Sequence, residues 1–198
     1  MGALLKFSKA VDALNAFVGR WVIWLILAAT VISGLNAIVR KAFNYSSNAY
    51  LEVQWYLFAA AFLLAAGYTL LHGEHVKIDV ISSKLSKRKQ IWIDIIGFTL
   101  FLTPVCLVIL YYGIPFFLQG FRSGEMSSNS GGLIRWPVYL MIPLGFILLL
   151  LQGLSELVKR IAFLQGRIPD PTQKFVAKTP EEELAEEIRR QAERDARA

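Results

Sequence analysis

The sequence predicts an all-α membrane protein: four transmembrane helices, N and C termini cytoplasmic, with interfacial amphipathic helices. Three observations carry that reading. Of 198 residues, 55% are hydrophobic and only 18% charged, a balance suited to helices bathed in lipid. The apolar residues gather into four long runs, each close to the roughly 20 residues that one helical crossing of a bilayer needs. The basic residues, finally, are shared unequally among the connecting segments, as membrane topology requires.

Residues 1–19 place Leu4, Phe7, Val11, Leu14 and Val18 at helical spacing, with Lys6, Lys9 and Asp12 between them. This predicts a short amphipathic helix lying in the membrane interface. The apolar run beyond it exceeds the about 7–15 residues of a cleavable signal, so it is read as a retained span. The membrane domain then covers 20–160, with spans at about 21–39, 53–71, 93–118 and 136–157. In the first span, Trp21 and Trp24 suit an interfacial aromatic belt, and Ala29, Ser33 and Ala37 form a ridge of small residues that favours close helix packing. The second span follows a polar turn and carries a similar ridge at Ala61 and Ala65, with Gly67 as a further small position.

The third span contains 27 uncharged residues from Ile95 to Phe121, too many for a straight perpendicular crossing. Pro104 predicts a kink, and Gly113 with Pro115 predicts fraying of the helix. Asp94, one turn inside a basic loop, calls for a lysine or arginine partner. Arg122–Arg135 reads as a Gly/Ser-rich loop, and Pro137 suits the first turn of the fourth span. Glu156 stands three and four residues before Lys159 and Arg160 and is expected to pair with them. Residues 161–178 read as a linker. Thr179, Pro180 and Glu182 supply the capping signals of a soluble cytoplasmic helix over 179–198.

Thirteen Lys and Arg flank the spans on the side of the termini, the distal tail set aside, against four on the other side. That asymmetry predicts cytoplasmic termini, with Glu52 outside and His75, Lys77 and Asp79 at the cytoplasmic interface. The net charge of +6 is thereby explained by topology and membrane lipids, with no nucleic acid as partner. The single cysteine, Cys106, lies in an apolar run and reads as a packing residue.

No catalytic constellation is visible. The two histidines, His72 and His75, lie three residues apart without the further ligands a metal site needs, and cannot clasp a haem from opposite faces. No Gly-rich phosphate loop follows a strand, and several buried charges of the kind that mark an ion path are missing. The expectation is no enzyme, no metal and no cofactor in this chain. A stand-alone channel or proton-coupled carrier would have to use Glu52, Asp94 and Glu156, which fall near the ends of the spans and not at the midplane where carrier sites usually lie.

Several motifs together resemble the small membrane subunit (DctQ-like) of TRAP, tripartite ATP-independent periplasmic, transporters. They are Glu52-x-Gln54-Trp55, then Gly67-Tyr68, then His75-Val76-Lys77-Ile78-Asp79. Gly131-Gly132-Leu133-x-Arg135-Trp136-Pro137 and Ile142-Pro143-Leu144-Gly145 continue the likeness. It covers about Phe17–Arg160, leaving the tail beyond Pro169 outside. The resemblance implies a non-catalytic scaffold beside a large multi-span permease subunit that carries sodium and an organic acid, often a carboxylate. A periplasmic substrate-binding protein would deliver that solute, and the chain would reside in a bacterial inner membrane.

Glu52, Gln54, Trp55, Arg135, Trp136 and Pro137 are then the candidates for contact with these partners. Two readings of Glu52 stand side by side: pairing with a cation (Arg40, Arg135 or one from the large subunit), or solvation at a helix N-terminus. Arg135 and Trp136 equally suit interface anchoring or contact with the binding protein.

Overall fold

A computed structural model describes residues 2–45, 47–73 and 85–171. His75, Lys77, Asp79, the flat-lying segment expected near them and the helix expected over 179–198 lie outside the described residues. Four helices follow one another: α1 (Gly2–Phe43), α2 (Asn48–His72), α3 (Lys87–Ser123) and α4 (Trp136–Leu164). All four are long and apolar enough to cross a membrane. They alternate in direction, so the start of α1, the end of α2, the start of α3 and the end of α4 share one end of the bundle.

The first helix differs from expectation. Where an interfacial helix and a separate span were expected to meet near Gly19, a single helix of 42 residues runs through. Residues 2–43 contain no proline, and an isolated glycine costs a helix only about 1 kcal/mol. Gly19 answers to packing instead, because the Tyr68 ring occupies the space its Cβ would need. Val11 is buried, whereas Leu4, Phe7 and Leu14 face outward. The polar face bearing Ser8 and Asn15 turns inward against α4.

The expected kink in α3 takes a definite form. The helix is α-helical to Gly97, π-helical over Phe98–Leu102 and α-helical again from Thr103. Pro104 has no N–H to give, and its ring crowds the carbonyl four residues back. One widened turn relieves this: the Thr103 N–H and the Thr103 hydroxyl (2.9 Å) both donate to the Phe98 carbonyl. The fraying expected at Gly113 and Pro115 does not occur. The helix passes through Pro115 to Ser123 and stops at Gly124, whose φ of 60° is left-handed and whose N–H returns to the Gly120 carbonyl. Inside a packed membrane helix the bond lost at a proline is readily absorbed by neighbouring groups.

α4 is the centre of the bundle, touching α1, α2 and α3. Small residues set how closely it approaches α2: a Cβ on Gly145 would stand 2.7 Å from the Leu63 carbonyl oxygen. Ala29 and Ala61 are buried, and Ala65 is half-buried. Ser33 and Ala37, however, remain exposed, so the first ridge packs within this chain only at its Ala29 end. Cys106 is buried. Large apolar side chains point outward, Phe62 at 81% exposure and Tyr111 at 73% among them. Polar residues lie inside: Ser8, Asn15, Gln152 and Ser155 are almost fully covered. That polarity suits a lipid solvent, in which apolar contacts between helices bring no hydrophobic gain and polar groups act as glue.

Candidate functional site

Polar side chains converge at the two ends of the bundle. At the first end, Ser47 caps α2, its hydroxyl accepting from the Ala49 amide at 3.3 Å. One turn later Glu52 is only 3% exposed. Its carboxylate is held by the α3–α4 loop, accepting from the Ser127 hydroxyl, from the Asn129 amide group at 2.8 Å and from the Leu133 backbone N–H at 2.7 Å.

The loop is shaped to present those donors. Its two arms join through Ser127 N–H to Leu133 carbonyl and Arg135 N–H to Glu125 carbonyl, each 2.9 Å, and Gly131 turns with φ 69°. Asn48 and Tyr56 of α2 add bonds to the Ser130 and Ile134 carbonyls, each 3.1 Å. The loop is thereby clamped across the start of α2.

Within this chain the carboxylate is held by hydrogen bonds and not by Arg40 or Arg135. No cation pairs with it among the described residues, and it is not solvated. Arg135 instead pairs with Glu125 at 3.3 Å, and Tyr139 donates to the same carboxylate at 3.0 Å. Hydrogen bonding with Tyr139, and then the Glu125 charge, raise the Arg135 guanidinium above its already high ordinary pKa, so it stays cationic.

The other candidates gather at the same end with different surroundings. Gln54 is buried, and its amide nitrogen has no hydrogen-bond partner. Trp55 faces outward at 63% exposure. Trp136 meets Phe121 edge-on, with ring centres 5.5 Å apart, and Pro137 occupies the first turn of α4.

At the opposite end, α1, α3 and α4 share a network. Asn15 donates to Gln152 at 3.0 Å, and Gln152 donates to Asp12 at 2.9 Å and to Glu156 at 3.2 Å. Ser155 bonds Ser8 at 2.7 Å and donates to Asp12 at 2.9 Å. Lys159 bridges Asp12 (2.9 Å) and Glu156. Arg160 pairs with Asp94 at 2.9 Å and with Glu156, and lies over the Phe98 ring at 4.6 Å. The partners expected for Asp94 and Glu156 are therefore found.

The part played by Ser8, Asp12, Asn15, Gln152 and Ser155 was not anticipated from sequence. Their signal was present: polar residues three and four apart on single faces of apolar helices. Chemically, both clusters lock helices and a loop together. Glu52 is held by neutral donors of the loop, while Asp12, Asp94 and Glu156 share Lys159 and Arg160.

Comparison with known proteins accords with this architecture. The family described as tripartite ATP-independent periplasmic transporters, DctQ component, matches residues 29–163. The chain belongs to the DctQ family. As a DctQ component it is a non-catalytic transporter subunit, a multi-pass membrane protein that works with a large permease and a substrate-binding protein. The DctQ match spans the last third of α1 through α4, and so includes the Glu52 clamp and the α3 and α4 side of the opposite network. The ectoine TRAP transporter small permease protein TeaB of Halomonas elongata is 27% identical over 139 residues, 69% of either chain. No solved structure matches this DctQ chain.

Proposed function

We propose that this chain is the scaffold subunit of a sodium-coupled, binding-protein-dependent secondary transporter that imports an organic acid across a bacterial inner membrane. Sodium and solute would be handled by the large permease subunit. One observation carries the scaffold role: the buried charged groups are engaged inside the chain, by ion pairs at one end of the bundle and by hydrogen bonds to Glu52 at the other, while large apolar side chains face outward along all four helices. Such a molecule offers surface to lipid and to other helices and offers no charged path through itself.

The charge distribution supports cytoplasmic termini, which puts the Glu52 clamp on the periplasmic side and the Asp12–Arg160 network on the cytoplasmic side. Trp55, Arg135 and Trp136 then face the compartment of the binding protein. Ser33 and Ala37, exposed on α1, offer a close-approach surface for a permease helix. The organic-acid assignment follows the TRAP family resemblance, and the name of TeaB attaches ectoine to a small permease of this kind.

The test is co-expression with a neighbouring multi-span permease and a secreted binding protein. Co-purification with the permease and solute uptake that requires all three components are expected. Solute or proton flux by the purified chain alone in liposomes, abolished by Glu52→Gln, would overturn the reading.

A further inference from the structure

α3 packs chiefly on α4 and is the least covered of the four helices: 6% of its spanning stretch is buried, against 28% for α4. Cys106, Gly113 and Gly120 make its inward stripe. Tyr111 lies about 200° round the helix from Gly113, on the side turned away from the bundle. Tyr111 and Tyr112 are 73% and 69% exposed, their rings edge to face at 5.0 Å. Neither hydroxyl has a hydrogen-bond partner among the described residues. Tyr56 and Tyr139, nearer the ends of their spans, each have one, at 3.1 and 3.0 Å.

Asp94 and Arg122 bracket the apolar part of α3. They stand about 42 Å apart along the helix, more than the roughly 30 Å of a hydrocarbon core. With the core centred between them, the backbone of Tyr111 and Tyr112 lies about 10 Å below its nearer surface, the one on the Arg122 side. Helical side chains lean toward the N-terminus of their helix, here toward Asp94 and away from that surface. The two phenols therefore reach further into the membrane and do not snorkel out to water. A hydroxyl left in hydrocarbon without a partner is unfavourable. Pro115, exposed on the same side, adds a third polar group, because it has no N–H to give to the Tyr111 carbonyl four residues back. No described side chain donates to that oxygen, whereas Thr103 serves the Phe98 carbonyl at the π turn.

We propose that this face of α3 is a seam against a membrane helix of the large permease, one that carries Ser, Thr, Asn or Gln at mid-depth. Such side chains hydrogen-bond across helices in a membrane, whereas lipid chains offer neither donor nor acceptor. They accept from the Tyr111 and Tyr112 hydroxyls and donate to the Tyr111 carbonyl. A DctQ component works beside a multi-span permease, which makes that subunit the source of the helix. The seam thus rests on the scaffold reading, and it lies on a different helix from Ser33 and Ala37.

The test labels the full chain and its co-expressed permease for energy transfer in phosphatidylcholine vesicles and dilutes the pair with lipid. Tyr111→Phe and Tyr112→Phe should each weaken association about threefold, and the double variant about eightfold, the scale of polar contacts between membrane helices. The hydroxyls bond to nothing described within the chain, so the melting temperature of the isolated subunit should not fall. A fall would assign them to the fold and overturn the seam. A photo-crosslinker in place of Tyr112 should link to the permease; a link to a second copy of this chain would overturn the proposal. Unchanged or tighter association of both variants, while the native pair still forms, is what lipid-facing hydroxyls predict. That result would overturn the seam and leave the scaffold reading standing. Failure of the native chain to bind the permease at all would remove both.

Discussion

Replacing Gly145 by alanine tests a helix crossing at which the new side chain would meet backbone of the facing helix. The new Cβ would stand 2.7 Å from the Leu63 carbonyl oxygen and 2.9 Å from its carbonyl carbon. Unstrained contacts need about 3.5–4.0 Å. These are backbone atoms, so no rotamer change relieves the clash and α2 must part from α4 by roughly 0.8 Å. A gap of that size forfeits roughly a quarter to a half of each affected contact, and overpacking of this kind costs about 1–3 kcal/mol.

Alanine also favours helix over glycine by about 1 kcal/mol, which would mask part of the loss. Gly34→Ala supplies the control, because a Cβ there meets nothing within 4 Å. Both changes bring the same propensity gain, so their difference isolates the steric cost. For a chain of this size, about 2–4 °C accompanies each kcal/mol. In matched detergent, Gly145→Ala should therefore melt about 2–12 °C below Gly34→Ala. Equal or higher melting of Gly145→Ala would refute the close crossing.

Gly67→Ala meets the Asn15 side chain first and, at 3.2 Å, the Leu148 carbonyl oxygen of α4, so Asn15→Ala should recover about 0.5–3 kcal/mol of its cost in a double-mutant cycle of unfolding free energies. Additive effects would show that the two helices do not meet there. Glu156→Ala removes one of two carboxylates from Arg160, which keeps Asp94, and from Lys159, which keeps Asp12, and should destabilise the bundle by about 1–3 kcal/mol. Arg160→Leu, which strips both Glu156 and Asp94 of this cation, should cost more in the same denaturant titration. Glu52→Gln should speed hydrogen exchange at the Leu133 amide and across residues 127–133 while leaving α4 protected; unchanged exchange would show that the carboxylate does not hold the loop.

Periodicity and length located the four helices, because lipid leaves a spanning chain few alternatives to helix. The same constraint hid the boundary of α1. An amphipathic helix on the surface and the first turns of a long continuous helix share one hydrophobic pattern, and only the contacts of Ser8 and Asn15 with α4 separate them. Pro104 revealed a distortion, whereas its π form depends on Thr103 reaching the Phe98 carbonyl.

Asp94 and Glu156 found their expected cationic partners because helical spacing and the neighbouring basic residues limited the choices. Glu52 did not. Its donors come from a loop 75 to 81 residues away, and a Gly/Ser-rich stretch carries no mark of what its hydroxyls and amides will face. Ser33 and Ala37 are exposed in this chain; a small-residue ridge announces close packing without saying whether the neighbour belongs to the same chain.

The widened turn at Phe98–Leu102 has a consequence for how α3 is oriented. A π turn inserts one residue into an α-helix, and one residue rotates everything beyond it by about 100°. The two halves of α3 are thus set independently, like sections of a shaft joined by an offset coupling. Below the turn, Asp94 meets Arg160; above it, Cys106 and Gly113 face inward. Removing one residue from the turn together with the ring of Pro104 would straighten the shaft and move one of these two faces out of contact.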